Sequence, residues 1–361
     1  MKTVTIDSTF SQGGASSSQK MGLLLRIKDW FQRLFAFVTT AKNWKSSPKL
    51  WIGALIGLRL LYQFLREYGL TLFKKDLSKD HVFLTGAGSG IGRLMAERLG
   101  AMGCKLSISD INLQGVEETR DICIKKGVPA ANIHVMHLDV SKRESIRQSA
   151  ASAKATFGPV TILINNAGIV SGKPTMELTD AMIDRTMKVN TISHMHTIQE
   201  FLPDMISGRR GHIVSIASMA GLVGLPTLQD YCASKFGAVA IDEALRLELK
   251  KAGHYKYVNT TCICPYFINT GMFDGAKSAF PMYILSPEET VTRIINAIRQ
   301  EEAQVTIPWR GNIIHLVKLL PISVVDGLGS VLGLQSQMDD FKGRGAITSR
   351  IPGIEAHNTD R

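Results

Sequence analysis

Cysteine is scarce in this chain and odd in number, five in 361 residues. Cys104, Cys123, Cys232, Cys262 and Cys264 all fall in segments that read as strands or helices. That excludes a disulfide framework and fits buried thiols in a reducing compartment. Also missing is a stretch of about 20 clean apolar residues, the length a straight membrane span needs. The run "LWIGALIGLRLLYQFL" at 50–65 is shorter than that and carries Arg59. A second apolar run at 311–334 is broken by Pro321, Asp326 and several glycines. No cleavable signal is expected, because apolar sequence starts late and no small-residue cleavage site follows it. Acidic residues are few at the front. Residues 1–80 hold 13 Lys+Arg against 5 Asp+Glu, so they supply +8 of the formal +11, whereas the other 281 hold 29 against 26. A nucleic-acid binder would carry its charge on the folded face that grips phosphate, so no nucleic-acid partner is expected. No metal site is read from the sequence either.

What is present divides the chain into four parts. Residues 1–20 are rich in Ser, Gly, Gln and Thr without apolar periodicity, and are expected to be disordered. Residues 21–75 form a basic, apolar arm: Leu23, Leu24, Ile27, Trp30, Phe31, Leu34, Phe35 and Val38 recur at helical spacing among Arg26, Lys28, Arg33 and Lys42. That pattern fits a helix lying in a membrane interface, with a helix packed on the domain as the alternative. Lys42, Lys45 and Lys49 precede the 50–65 run and Arg66, Lys74 and Lys75 follow it, so the positive-inside rule gives no through-membrane direction. Residues 76–310 are the expected folded domain. Residues 311–361 are an apolar extension, either resting on a membrane or lying over the domain, followed from Gln335 by a polar tail expected to be mobile.

Within the domain, strand and helix alternate. Segments 81–85, 105–109, 132–138, 160–165, 211–217, 258–264 and 303–308 read as short buried strands, with helical runs such as 92–102, 141–157 and 229–251 between them. The alternation predicts an α/β fold with a parallel sheet covered on both faces, the doubly wound, Rossmann-type arrangement. The first strand runs directly into Thr85-Gly86-Ala87-Gly88-Ser89-Gly90-Ile91-Gly92 and then a helix. Glycines there allow a tight turn and let backbone N–H groups approach a pyrophosphate at the helix N-terminus. Asp110 ends the second strand, where a carboxylate hydrogen-bonds ribose hydroxyls and repels a 2′-phosphate. With Ser89 rather than a basic residue in the loop, NAD is the expected cofactor. "DYCASKF" at 230–236 places Tyr231 and Lys235 at i and i+4, on one helical face.

These motifs occur in one order with Asn165-Asn166-Ala167-Gly168 after the fourth strand and Ser218 thirteen residues before Tyr231. In that combination residues 80–270 resemble the short-chain dehydrogenase/reductase family. "ILINNAGIVSGK", "DYCASKF" and "CPYFINTGMF" are similar to its membrane-associated branch of retinol and 17-beta-hydroxysteroid dehydrogenases. The resemblance implies catalytic roles for Asn190, Ser218, Tyr231 and Lys235. Tyr231 would be the general acid/base, its phenolate stabilised and its pKa lowered by the Lys235 ammonium and the positively charged oxidised nicotinamide. Ser218 would bind the substrate oxygen, Lys235 would also hold the nicotinamide ribose, and Asn190 would hold a water in the proton relay. It further implies cofactor contacts at Gly86, Ser89, Gly90, Ile91, Gly92, Asp110, Asp139, Val140, Asn166, Ala167, Gly168, Pro265, Ile268 and Thr270, besides Tyr231 and Lys235. Pro265-Tyr266 departs from the Pro-Gly of many relatives, which leaves the local backbone contact to nicotinamide open.

Met219, Leu222, Val223 and Leu225, with the apolar residues among 272–285, are expected to border an apolar pocket, or to be domain core in part. The resulting expectation is an NAD-dependent oxidoreductase of a lipophilic alcohol and its carbonyl, retinol first, with 17-beta-hydroxysteroids and long-chain alcohols as alternatives. A nucleotide-binding scaffold at membranes or lipid droplets is the non-enzymatic alternative, and the intact set Asn190, Ser218, Tyr231 and Lys235 argues against it. A homodimer is expected from the family. Attachment to the endoplasmic-reticulum membrane, and to lipid droplets, with the catalytic domain facing the cytosol, is expected from the arm and the thiols.

Overall fold

The computed structural model describes residue 57, residues 74–279 and residues 282–343. Seven parallel strands form one sheet in the order β3-β2-β1-β4-β5-β6-β7. They are β1 (His81–Thr85), β2 (Lys105–Asp110), β3 (Ile133–His137), β4 (Ile162–Asn165), β5 (Gly211–Ile216), β6 (Val258–Pro265) and β7 (Gln304–Ile307). The helices are α1 (Gly90–Ala101), α2 (Leu113–Lys125), α3 (Arg143–Phe157), α4 (Asp180–Met187), α5 (Ser193–Ser207), α6 (Gln229–Lys251) and α7 (Pro287–Arg299), followed by the short α8 (Ile313–Val317) and α9 (Ile322–Val331). The doubly wound fold expected from the alternation is the fold observed.

The central strands are apolar without interruption because both their faces are covered. Side chains alternate across the sheet. Val82, Leu84, Ile162 and Ile164 enter the core shared with Met95 and Leu99 of α1, Val116 of α2 and Ile294 of α7. Phe83 and Leu163 enter the opposite core with Ile146 of α3, Phe201 and Met205 of α5 and Leu245 of α6. Phe83 and Phe201 meet there with ring centroids 4.7 Å apart. Truncating either to alanine should cost about 3–5 kcal/mol, the usual loss for a large buried ring.

Some boundaries move. The strand expected from Val160 starts at Ile162; Thr161 just before it gives its hydroxyl to the Asp80 carboxylate at 2.8 Å, while its backbone still bonds to His81 and His212. The helix expected from Gly92 begins at Gly90. The polar stretch from Gln335, expected to be mobile, docks as far as it is described. Gln337 and Met338 are buried, Lys277 N–H donates to the Gln337 carbonyl at 2.8 Å, and Lys342 N–H donates to Asp274 at 2.8 Å. All five cysteines are free and buried. The arm at 21–73 and the tail beyond 343 lie outside the described residues, apart from Gly57. Among the described residues no helix is long and apolar enough to cross a membrane.

Candidate active site

In an open parallel sheet the crevice forms at the carboxyl ends of the strands, where the strand order reverses. Here the reversal lies between β1 and β4, since β1 pairs with both β2 and β4. A cavity of about 650 Å³ opens there, bordered by Gly86 after β1, Asp110 of β2, Asp139 after β3, Asn166 after β4, Ser218 after β5 and Pro265 of β6.

The glycine loop forms one wall. Gly86 has φ +69°, a conformation that other residues adopt at a cost, and a Cβ on Gly92 would stand 2.0 Å from the Gly86 carbonyl oxygen. The turn therefore closes tightly at the start of α1, with Ser89, Ile91 and Gly92 on the cavity. Asn166 locks it from behind. Its side-chain amide donates to the carbonyls of Thr85 and Gly86, both at 2.9 Å. The Thr85 hydroxyl accepts from Asn166 N–H and Ala167 N–H, both at 3.0 Å. The Asp110 carboxylate accepts from Gly88 N–H and Asn112 N–H, each at 3.0 Å, and so faces the loop from the next strand. Arg93 is the first basic residue after the loop, but it turns away. Its guanidinium donates to the Gly88 carbonyl at 2.7 Å and pairs with Glu118 at 3.0 Å. Asp139 holds the Ser141 N–H and hydroxyl at 3.0 and 2.7 Å, which keeps its carboxyl below the usual range despite partial burial. This cradle of close backbone, helix N-terminus and a carboxylate at the end of β2 fits a dinucleotide.

The opposite wall carries the reacting groups. Tyr231 and Lys235 lie one turn apart on α6, both buried and both on the cavity. The Lys235 ammonium donates to the Ile216 carbonyl at 2.8 Å. Burial pulls its pKa down to about 8. Burial drives the Tyr231 phenol far above its ordinary value, with the neighbouring Ser218 hydroxyl pulling the other way. The expected lowering rests on the Lys235 ammonium together with the oxidised nicotinamide, and burial of the phenolate is the effect those two charges must offset. Ser218 is extended and accepts from Ala220 N–H at 3.1 Å, which leaves its hydroxyl on the cavity beside the phenol.

Asn190 and Gly90 do not border the cavity. Asn190 sits in a widened π turn at Lys188–Ile192 between α4 and α5. Its amide brackets Ile169, accepting from the N–H and donating to the C=O, both at 2.9 Å, and donates to Ser234 at 3.0 Å. It fixes the wall behind Lys235. The other predicted cofactor residues, Ser89, Ile91, Val140, Ala167, Gly168, Ile268 and Thr270, all border the cavity. Sequence reasoning missed Ile111, Ser141, Arg185 and Lys188, which also border it. Only the neighbours of Asp110 and Asp139 carried a signal, their adjacency to those carboxylates.

A second cavity, about 140 Å³ and almost wholly apolar, shares Ser218, Pro265, Tyr266 and Phe267 with the first. Met219, Val223, Leu225 and Met282 border it, as expected, and Met272 and Phe273 border the first. Leu222 and Leu285 are core instead, and Tyr283 and Ile284 are exposed. Phe280 and Pro281 lie outside the described residues. Tyr266 joins the two cavities. Its hydroxyl accepts from Ala279 N–H at 3.2 Å and from the Gln337 amide at 2.5 Å.

Comparison with known proteins follows this geometry closely. Residues 80–279 match the family model described as short chain dehydrogenase. The chain is 37% identical over 305 residues to epidermal retinol dehydrogenase 2 of Homo sapiens, covering 83% of this chain and 97% of that protein. It is 39% identical over 264 residues to estradiol 17-beta-dehydrogenase 11 of Macaca fascicularis, covering 72% and 86%. Its fold superposes with a TM-score of 0.61 on a short chain dehydrogenase/reductase from Burkholderia phymatum solved in complex with NAD, at 27% identity, covering 68% of this chain and 93% of that one.

Proposed function

Since this chain belongs to the short-chain dehydrogenase/reductase family and carries its alcohol dehydrogenase/reductase chemistry, we propose that it interconverts a lipophilic alcohol and its carbonyl with NAD, retinol to retinal being the first reading. The observation that carries the substrate class is the junction at Ser218, Pro265, Tyr266 and Phe267, where the dinucleotide cradle meets a cavity with almost no polar surface. An apolar cavity ending on one hydroxyl suits a long hydrocarbon with an oxygen at its tip. The similarity to estradiol 17-beta-dehydrogenase 11 favours a steroid alcohol as the second reading.

In the oxidising direction Tyr231 takes the hydroxyl proton of the alcohol, and in reduction it returns that proton to the carbonyl oxygen. Ser218 donates a hydrogen bond to the same oxygen and fixes the substrate against the phenol. The Lys235 ammonium stands behind the phenol and favours the phenolate. Asn190, through Ile169, keeps the cradle wall in register with Lys235. When bound, the dinucleotide supplies the hydride acceptor and, oxidised, a second positive charge that draws the raised phenol pKa back toward neutrality. NAD is preferred in this reading because Asp110 holds the ribose end while Arg93 is engaged with Gly88 and Glu118. The protein works at the cytosolic face of the endoplasmic-reticulum membrane, and on lipid droplets, held by residues 21–73, and two copies pair through α5 and α6.

The test is nicotinamide fluorescence on mixing membrane-reconstituted protein, NAD and a panel of lipid alcohols. Reduction of NAD with retinol is the expected result. Turnover of small polar alcohols only, with none of the retinoid, steroid or long-chain substrates, overturns the reading.

A further inference from the structure

The chain beyond β7 is apolar on two sides. On its inner side, Ile314, Val317, Val325 and Leu328 wall the second cavity, whose inner end is Ser218. Outside, large apolar side chains face solvent: Leu316 is 67% exposed, Leu319 80%, Ile322 79% and Val331 85%. Single exposed apolar residues need no explanation, but this many in one short segment mark a contact surface. The segment is weakly basic: residues 309–334 carry Arg310 and Lys318 against Asp326, a formal +1. Lys318 lies over the Phe236 ring, its nitrogen 4.8 Å from the centroid, which fastens α8 to α6. Trp309, partly exposed, opens the segment.

We propose that residues 309–334 rest on an anionic lipid surface, and that the apolar substrate passes from the bilayer between α8 and α9 into the second cavity and on to Ser218 and Tyr231. The route rests on the lipophilic-alcohol reading above; the surface does not. Exposed tryptophan and basic residues at the border of an apolar face match the headgroup zone of a membrane, where each basic residue adds attraction to anionic lipid. A bilayer also covers the face without closing the cavity behind it, because its interior is the phase from which the substrate partitions. A second copy would seal that wall. A two-fold contact would also gather Arg310 and Lys318 of both copies into one interface with only the two Asp326 carboxylates to offset them.

The test uses the full chain with Leu319→Cys, labelled with an environment-sensitive fluorophore. The five native cysteines are all buried, which directs the label. Vesicles of phosphatidylcholine and phosphatidylserine should shift the emission to the blue, and spin-labelled lipids should quench it. No response to vesicles overturns the proposal. So does a blue emission that precedes vesicle addition, or one that tracks protein concentration instead. A second arm combines Leu319→Asp with Val331→Asp, two exposed positions that border neither cavity. KM for vesicle-borne retinol should rise by about tenfold or more, while kcat/KM for a short water-soluble alcohol stays unchanged. An equal loss on both substrates overturns the route. A chain that oxidises no alcohol sinks the functional reading and the route with it, while the fluorescence arm still decides the surface.

Discussion

The Lys235 ammonium stands 5.7 Å from the centre of the Tyr231 ring and donates to the Ile216 carbonyl on β5. The lysine is therefore anchored to the sheet, and the phenol rests on a fixed positive charge one helical turn below it. Replacing Tyr231 with Phe keeps the ring and its edge contact with Phe273, at 5.6 Å between centroids, and removes only the proton carrier. General acid–base groups contribute roughly 10²–10⁴-fold, so kcat should fall by that range while NAD affinity, measured by titration, changes little. A loss below about tenfold would show that another group handles the proton.

Cofactor choice follows from Asp110. Its carboxylate lies on the cavity, held by Gly88 N–H and Asn112 N–H. NAD(H) should be used with the higher kcat/KM, and Asp110→Ala should narrow the gap by improving NADP(H) relative to NAD(H). A wild-type preference for NADP(H) would mean that a basic group missing from this reading, such as a redirected Arg93, overrides the carboxylate.

The parts of the site that were legible in the sequence are local. The glycine loop is legible because it must sit between a buried strand and a helix, and the Tyr231/Lys235 pair because i and i+4 share a helical face. Contacts between distant segments were not legible. Nothing in the sequence links Tyr266 to Gln337, 71 residues later, yet that hydrogen bond ties the departure from Pro-Gly to the docking of the polar tail. The balance of electrostatics at Tyr231 was also hidden, because it depends on how completely α6 is covered. Apolar residues around 219–225 and 272–285 divided between core and cavity because one-dimensional hydrophobicity does not distinguish an inward face from a cavity wall.

Membrane attachment is expected to depend on residues 21–73. They hold 8 Lys+Arg against 2 Asp+Glu, +6 of the formal +11, together with the apolar run at 50–65. Apolar burial should dominate, with each basic residue near anionic lipid adding about 1 kcal/mol that weakens with salt. High salt alone should fail to strip the protein from microsomes. Deleting 21–73 should release much of it, the remainder being held through 309–334. Protease added to sealed microsomes should digest the catalytic domain. Protection of that domain, or a glycan on Asn259 of the formal sequon Asn259-Thr260-Thr261, would place it on the wrong side.

Asp242 gives a prediction about pH. It is buried on α6 with the Thr260 hydroxyl donating to it at 3.3 Å. Burial raises its pKa to about 7, against the partial pull of Thr260 and Arg246. A carboxyl whose folded pKa lies above its unfolded value binds more protons in the folded state, so stability falls as pH rises between the two. The window here runs from about 4, the unfolded carboxyl value, up to about 7. Asp242→Asn removes the titration and keeps the shape. The variant should therefore gain in Tm over wild type as pH rises through that window, and the gap should level off above it. Thermal unfolding of both proteins at a series of pH values, compared as a difference, cancels the other titrating groups. A difference that stays flat with pH, or a wild type that is the more stable protein above neutrality, would show that Asp242 is ionised at little cost in the fold.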